Sequence, residues 1–201
     1  MLSSLRQTVR PVGELVARPF VKAGISANAI TLAAIPLSTL AGLFIAKGFF
    51  AVGFWLALPT ILLDFLDGAV ARASKSESLF GNHLEAVVDR YVEGAILVGL
   101  SVHYPLLAGS ALTFSVLVSY IKARVGLVIV SDNSDWPGVG DRTDRMILLL
   151  VALQLLAQER VWLGQLGLSA LLTVALIGTV QRMLHSKRLI EEAQAKGQTL
   201  A

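Results

Sequence analysis

Between residues 94 and 121 the chain carries no Asp, Glu, Lys or Arg. That uncharged run is longer than the roughly 20 apolar residues that carry a helix across a bilayer. Similar runs cover 30–46, 49–63, 146–158 and 161–180. His103-Tyr104-Pro105 and Gly109 offer a turn that divides the longest run in two. The expected fold is therefore all-α and membrane-embedded, with six transmembrane helices. A soluble domain of 201 residues that is 55% hydrophobic and only 15% charged could not cover its apolar surface with one core. Lipid has to replace water around much of it.

The placement of positive charge supports six spans. With both termini on one side, every one of the 17 Lys and Arg except Lys47 and Arg160 falls on that side. Cytoplasmic loops carry such an excess, so both termini are expected in the cytoplasm of a multi-pass cell-membrane protein. A net charge of +3 could point to nucleic acid. The basic residues flank apolar runs instead of forming a solvated stripe, so the membrane surface is the expected partner and nucleic acid is not. With no cysteine, disulfides and thiolate metal sites are excluded.

One membrane-embedded domain accounts for residues 1–201. Residues 1–24 read as a retained interfacial amphipathic helix. They lack the continuous apolar run of a secretory signal, and a removed transit peptide is the alternative that their Arg-rich, nearly acid-free composition allows. Arg6, Arg10, Arg18 and Lys22 would sit at headgroups while Leu5, Val9, Leu15 and Phe20 dip below, and Pro11 would bend or split the helix. Residues 28–184 make the six-helix bundle, and 185–201 a cytoplasmic tail. Residues 131–141 form a polar, turn-rich loop on the cytoplasmic side.

Five acids, Asp64, Asp67, Glu85, Asp89 and Glu93, lie at the cytoplasmic ends of the second and third spans. Charges at such depth are costly and usually face the bundle interior or a wet cavity. Asp64 and Asp67 are three apart and share a helix face. Glu85, Asp89 and Glu93 step by four, drifting about 40° per step. The two helices are joined by a short link, so their acidic faces can meet. Carboxylates converging without matching bases repel one another, and a divalent cation or two is the natural counter-charge. All-oxygen ligation suits Mg²⁺, Mn²⁺ or Ca²⁺. The blander alternative pairs these acids with Arg72, Lys75 and Arg90. Acids lining a cation transporter's path are a further alternative, but such acids would be spread across the membrane depth.

The order of these residues is more specific than either alternative requires. The run reads Asp64-x2-Asp67-Gly68-x2-Ala71-Arg72, then x8, then Gly81-x3-Glu85-x3-Asp89. It resembles the signature of the CDP-alcohol phosphotransferase family, the CDP-alcohol phosphatidyltransferases. Only Glu85 departs, where the pattern has aspartate; glutamate keeps the charge and adds a methylene. A non-catalytic member kept for membrane assembly is an alternative that rests on Glu85 alone.

The resemblance implies a phosphatidyl-type transfer in phospholipid biosynthesis. The donor would be a CDP-diacyl- or CDP-dialkyl-glycerol, two Mg²⁺ or Mn²⁺ ions would assist, and CMP would leave. It assigns Asp64, Asp67, Glu85 and Asp89 to metal, with Asp89 also the catalytic base. Gly68, Ala71, Arg72 and Gly81 are assigned to the nucleotide. Asn28 and Thr31 match the family's Asn-x-x-Thr at the start of the first span and join that set, although a helix N-cap explains this pair equally well.

A second cluster bears on the acceptor. Ser119 and Lys122 close the fourth span, Arg142 opens the fifth and Arg182 closes the sixth. Ser119 and Lys122 share a face, and Arg142 and Arg182 lie at the same membrane level, which would suit a dianionic phosphate. Arg124, Arg145, Lys187 and Arg188 read instead as anchors at the membrane surface. By resemblance, the cluster points to the phosphatidylinositol-phosphate synthase and phosphatidylglycerol-phosphate synthase branch. The acceptor would then be a phosphorylated polyol, inositol phosphate ahead of glycerol phosphate. The same chemistry on an unphosphorylated alcohol such as serine is the alternative. A homodimer is implied by the resemblance.

Overall fold

The structure is a computed structural model that describes residue 13 and residues 15–129 and 136–198. The expectations placed on Leu5, Arg6, Val9, Arg10 and Pro11, and on 131–135 of the polar loop, lie outside the described residues. Among those described, the regular elements are α-helices: α1 (residues 15–22), α2 (Ala27–Ala46), α3 (Phe50–Ala73), α4 (Leu79–Ser101), α5 (Pro105–Val125), α6 (Arg142–Ala157) and α7 (Val161–Ala195).

Helices α2 to α7 fall where the six apolar runs were expected. Four of them, α2, α3, α5 and α7, are long and apolar enough to cross a membrane. The other two fall short for different reasons. Helix α4 carries Glu85, Asp89, Arg90 and Glu93 in its first two-thirds, and α6 has 16 residues against the roughly 20 that a perpendicular crossing takes. Large apolar side chains such as Leu43, Trp55, Leu62, Leu106, Leu166 and Ile177 point outward, as lipid-facing positions would. The chain is a multi-pass membrane protein.

Two compact units divide the chain, Met1–Gly99 and Leu100–Ala201. In the first, α2 and α3 form an antiparallel pair joined by a turn through Gly48, whose φ of 85° is one that glycine adopts freely. Ser26 caps α2 by accepting from the Ala29 N–H at 3.2 Å. The N-cap is therefore Ser26, and Asn28 and Thr31 are left to other work. Small residues let the backbones approach, as they do in membrane bundles. A Cβ on Gly42 would run into the Ala95 carbonyl oxygen of α4, and one on Gly99 into that of Gly42. Thr39 and Tyr91 join α2 to α4 through a 2.8 Å hydroxyl–hydroxyl bond. Helix α1 docks by Ala17 onto Ile30, Leu66, Ala69 and Val70, with Phe20 and Val21 packed alongside.

Helix α3 continues past Leu63 to Ala73, so Asp64 and Asp67 are helical residues. The turn before α5 uses residues 102–104, and Gly109 lies inside the helix.

In the second unit α5 and α6 each pack on α7, around Leu149, Leu153, Leu168, Leu171 and Ala175, none of which has measurable exposure. Gly164 and Gly167 admit Leu156 and Ala152 of α6. Helix α7 has 35 residues, about 52 Å of helix, well beyond the hydrocarbon thickness. The polar segment after Gln181 therefore continues as helix, and Leu189, Ile190 and Ala193 pack with Val125, Ile129 and Trp136 in a small separate core. Arg145 corrects its expected placement. It is 1% exposed and donates to the Gly140 carbonyl, so it holds the loop before α6 and is no surface anchor.

Candidate active site

The acidic residues gather at the adjoining ends of α3 and α4. Asp64, Glu85 and Asp89 each offer a carboxylate oxygen, and the three oxygens lie within 4.8 Å of one another. Three negative charges so close repel strongly in a low-dielectric setting. Among the described residues, Arg90 stands 3.7 Å from Asp89 and is also bonded to the Ala86 carbonyl. The methylene that distinguishes Glu85 from aspartate does not carry its carboxylate out of the cluster.

Asp67 is set differently. It is 3% exposed, and its Oδ2 accepts from Thr31 Oγ1 at 2.6 Å. Thr31 is itself buried, one turn past Ala27, whose carbonyl it also bonds at 3.1 Å. The other carboxylate oxygen, Oδ1, is buried with no hydrogen-bond partner among the described residues. A buried carboxylate oxygen left unsatisfied is costly, and it is the group a cation would complete. The orphaned oxygen and the all-oxygen trio together fit a hard divalent ion. Glu93, which shares the α4 register, is buried but stands outside the trio.

A cavity of about 520 Å³ opens beside these acids. Its wall comprises Ala27, Asn28 and Thr31 from α2, and Asp67, Gly68, Ala71 and Arg72 from α3. Residues 76–79 and Gly81, Asn82 and Glu85 complete it. All six residues expected at a nucleotide are in this wall, and Glu85 belongs to both cavity and trio. Gly68 and Gly81 keep it open. A Cβ on Gly68 would press the Arg72 guanidinium at 3.2 Å, and one on Gly81 would meet Asn28 Oδ1 at 3.3 Å. Ser78 accepts from the Gly81 N–H at 2.9 Å and starts α4. Sequence reasoning passed over Ser78, Glu77 and Asn82; the signal available was their position between the two halves of the motif.

The second set lies in the other unit. Arg182 is 6% exposed, donates to the Val118 carbonyl at 3.0 Å and is paired with Asp141. It thus meets α5 one residue before Ser119 and the start of α6 one residue before Arg142. Lys122 lies over the Trp136 ring, 5.9 Å from its centroid, and the His185 ring stands edge-on to the same indole at 5.2 Å. Ser119 reaches back toward the Ser115 carbonyl at 3.5 Å. Asp141 and Trp136 were not anticipated, because a loop residue's partner cannot be read from periodicity.

A multi-pass helical membrane protein with clustered carboxylates beside a polar cavity is the class these observations define. The chain belongs to the CDP-alcohol phosphatidyltransferase family, whose model matches residues 25–181, and it is a phosphotransferase. That sets aside the transporter and assembly readings. It is 28% identical over 200 residues to an archaetidylinositol phosphate synthase of Pyrococcus horikoshii, covering 95% of this chain and 99% of that one. It is 26% identical over 209 residues to a phosphatidylinositol phosphate synthase of Cutibacterium acnes, covering 95% and 100%. The Mycobacterium tuberculosis phosphatidylinositol phosphate synthase is similar in structure. With CDP-DAG bound, it matches at a TM-score of 0.72 and 24% identity, over 88% of this chain and 93% of that one. In complex with manganese and citrate, it matches at 0.71 and 25%, over 87% and 88%.

Proposed function

We propose that this chain transfers the phosphatidyl-type group of a CDP-diacyl- or CDP-dialkyl-glycerol to a hydroxyl of a phosphorylated polyol. Inositol phosphate is the preferred acceptor, ahead of glycerol phosphate, and CMP leaves. The observation that carries the reading is the convergence of Asp64, Glu85 and Asp89 beside a cavity walled by the motif residues. The names of its relatives support the inositol phosphate acceptor.

The residues then take the following parts. Asp89 accepts the proton of the attacking hydroxyl, whose oxygen bonds to the β-phosphorus as the bond from that phosphorus to the CMP oxygen breaks. Asp64, Asp67, Glu85 and Asp89 hold divalent cations, Mg²⁺ or Mn²⁺. When bound, these supply neutralisation of the diphosphate and of the departing oxygen. Thr31 fixes one oxygen of Asp67 and leaves the other turned to this task. Asn28, Thr31, Gly68, Ala71, Arg72 and Gly81 form the nucleotide wall, with Arg72 available to a phosphate. Ser119, Lys122, Arg142 and Arg182 receive the acceptor's phosphate, and Asp141 orients the Arg182 guanidinium.

The wider reading is a single domain with six spans, both termini and the site facing the cytoplasm, working as a homodimer in the cell membrane. Helices α4 and α6 would cross with the others, their polar ends at the cytoplasmic surface. The test is CMP release from a radiolabelled CDP-lipid by purified protein offered inositol phosphate, glycerol phosphate, free inositol and serine. Turnover with a phosphorylated polyol is expected. Turnover only with serine or free inositol would overturn the acceptor assignment and return Ser119, Lys122, Arg142 and Arg182 to structural roles.

A further inference from the structure

A second cavity, of about 500 Å³, lies where α1 meets the end of α3, lined by Arg18, Val21, Lys22, Arg72 and Ala73. Three of those five residues are cations and none is an acid. Arg18 and Lys22 are four apart, so they share one face of α1, and Arg72 comes from the other helix. None of the three makes an ion pair among the described residues. Like charges converging from two elements repel, and a flexible pair of surface helices would relieve that by moving apart. Here they cannot do so freely. Ala17 is fully buried against Ile30, Leu66, Ala69 and Val70, and Phe20 and Val21 pack beside it, which holds α1 on α3.

Arg18, Lys22 and Arg72 are exposed, and cations gathered by docked helices around a cavity attract an anion. Guanidinium and ammonium groups together suit a phosphate, the first through its paired donors and the second as a point charge. The apolar Val21 and Ala73 in the same wall, and the position at the end of a membrane-crossing helix, suit a phosphate that arrives on a lipid. We infer that Arg18, Lys22 and Arg72 form a binding site for the phosphate of an anionic phospholipid, separate from the cavity that takes the CDP-lipid. The two cavities share one residue, Arg72, which lines both. A lipid seated here therefore touches a side chain of the nucleotide wall and can report the membrane's anionic content to it.

The test measures binding, so it stands whether or not the proposed reaction does. Purified full-length protein in neutral detergent is titrated with short-chain phosphatidylglycerol, with short-chain phosphatidylcholine and with inorganic phosphate. Thermal stability and intact-complex mass are the readouts. Phosphatidylglycerol is expected to raise the melting temperature and to appear as a bound adduct, with phosphatidylcholine much weaker. In R18Q/K22Q the affinity should fall about ten- to thirtyfold, the effect of two cations near a lipid phosphate. The charge-conserving R18K/K22R should recover most of it. A response to inorganic phosphate that is lost in the same variant would show that the headgroup phosphate suffices without its tails. Equal binding by R18Q/K22Q and wild type would overturn the site. So would an equal loss in K187Q/R188Q, because the effect would then belong to surface charge in general.

Discussion

At the scale of single residues, the pairing of Thr31 with Asp67 says most about how the acidic site is set. A 2.6 Å bond between two buried groups fixes one carboxylate oxygen and leaves the other without a hydrogen-bond partner among the described residues. Thr31→Val keeps the shape and removes the donor, so a second oxygen of Asp67 becomes unsatisfied. The expected cost is about 1–3 kcal/mol, read as a lower melting temperature and a weakened metal response in calorimetry, with Thr31→Ser largely restoring both. Arg182 carries the matching prediction on the acceptor side. Arg182→Ala should raise the apparent KM for a phosphorylated polyol about ten- to hundredfold, the worth of one charge-assisted bond, while the KM for CDP-lipid is unchanged. An equal change in both constants would assign Arg182 to folding alone. The sequence made the acids and glycines legible, because their spacing is itself the signal. It left Asn28 and Thr31 divided between a cap and a site, and the cap proved to be Ser26. It also treated Arg145 as a surface anchor, since a buried arginine answered by a backbone carbonyl has no signature in hydropathy.

Element by element, apolar runs located the helices well and their ends poorly. Helix α3 runs on through Asp64, Asp67 and Arg72 because a polar site lines one face while Leu66, Ala69 and Val70 bury the other. Hydropathy drops where the site begins, but the helix does not stop. The same holds for α7, whose polar continuation packs on Trp136 and Val125. The α2–α4 crossing depends on glycine at Gly42 and Gly99, where any side chain meets backbone. Gly99→Val should separate the helices, disturb the Thr39–Tyr91 bond and cost about 1–3 kcal/mol, measurable as a drop in melting temperature. Topology is tested by fusions. Reporters after Gln181 and within 131–141 should be cytoplasmic, and one at Lys47 exported. A cytoplasmic reporter at Lys47 would contradict six spans.

For the whole molecule, the central claim is that the cluster of Asp64, Glu85 and Asp89 and its cavity perform a transfer that releases CMP. The family accounts for the class of reaction, and the proposed residue roles account for how this chain carries it out. A general base acts in the chemical step alone, whereas binding groups act in the ground state too. The direct measurement pairs CDP-lipid binding with CMP release, in Mg²⁺ or Mn²⁺ and again with chelator, for wild type and Asp89→Asn. Wild type should release CMP only with the divalent ion. Asp89→Asn should bind CDP-lipid about as well as wild type while CMP release falls about a hundred- to ten-thousandfold, the usual worth of a positioned base. CMP release that persists in chelator, or an Asp89→Asn protein that turns over at the wild-type rate, would contradict the account.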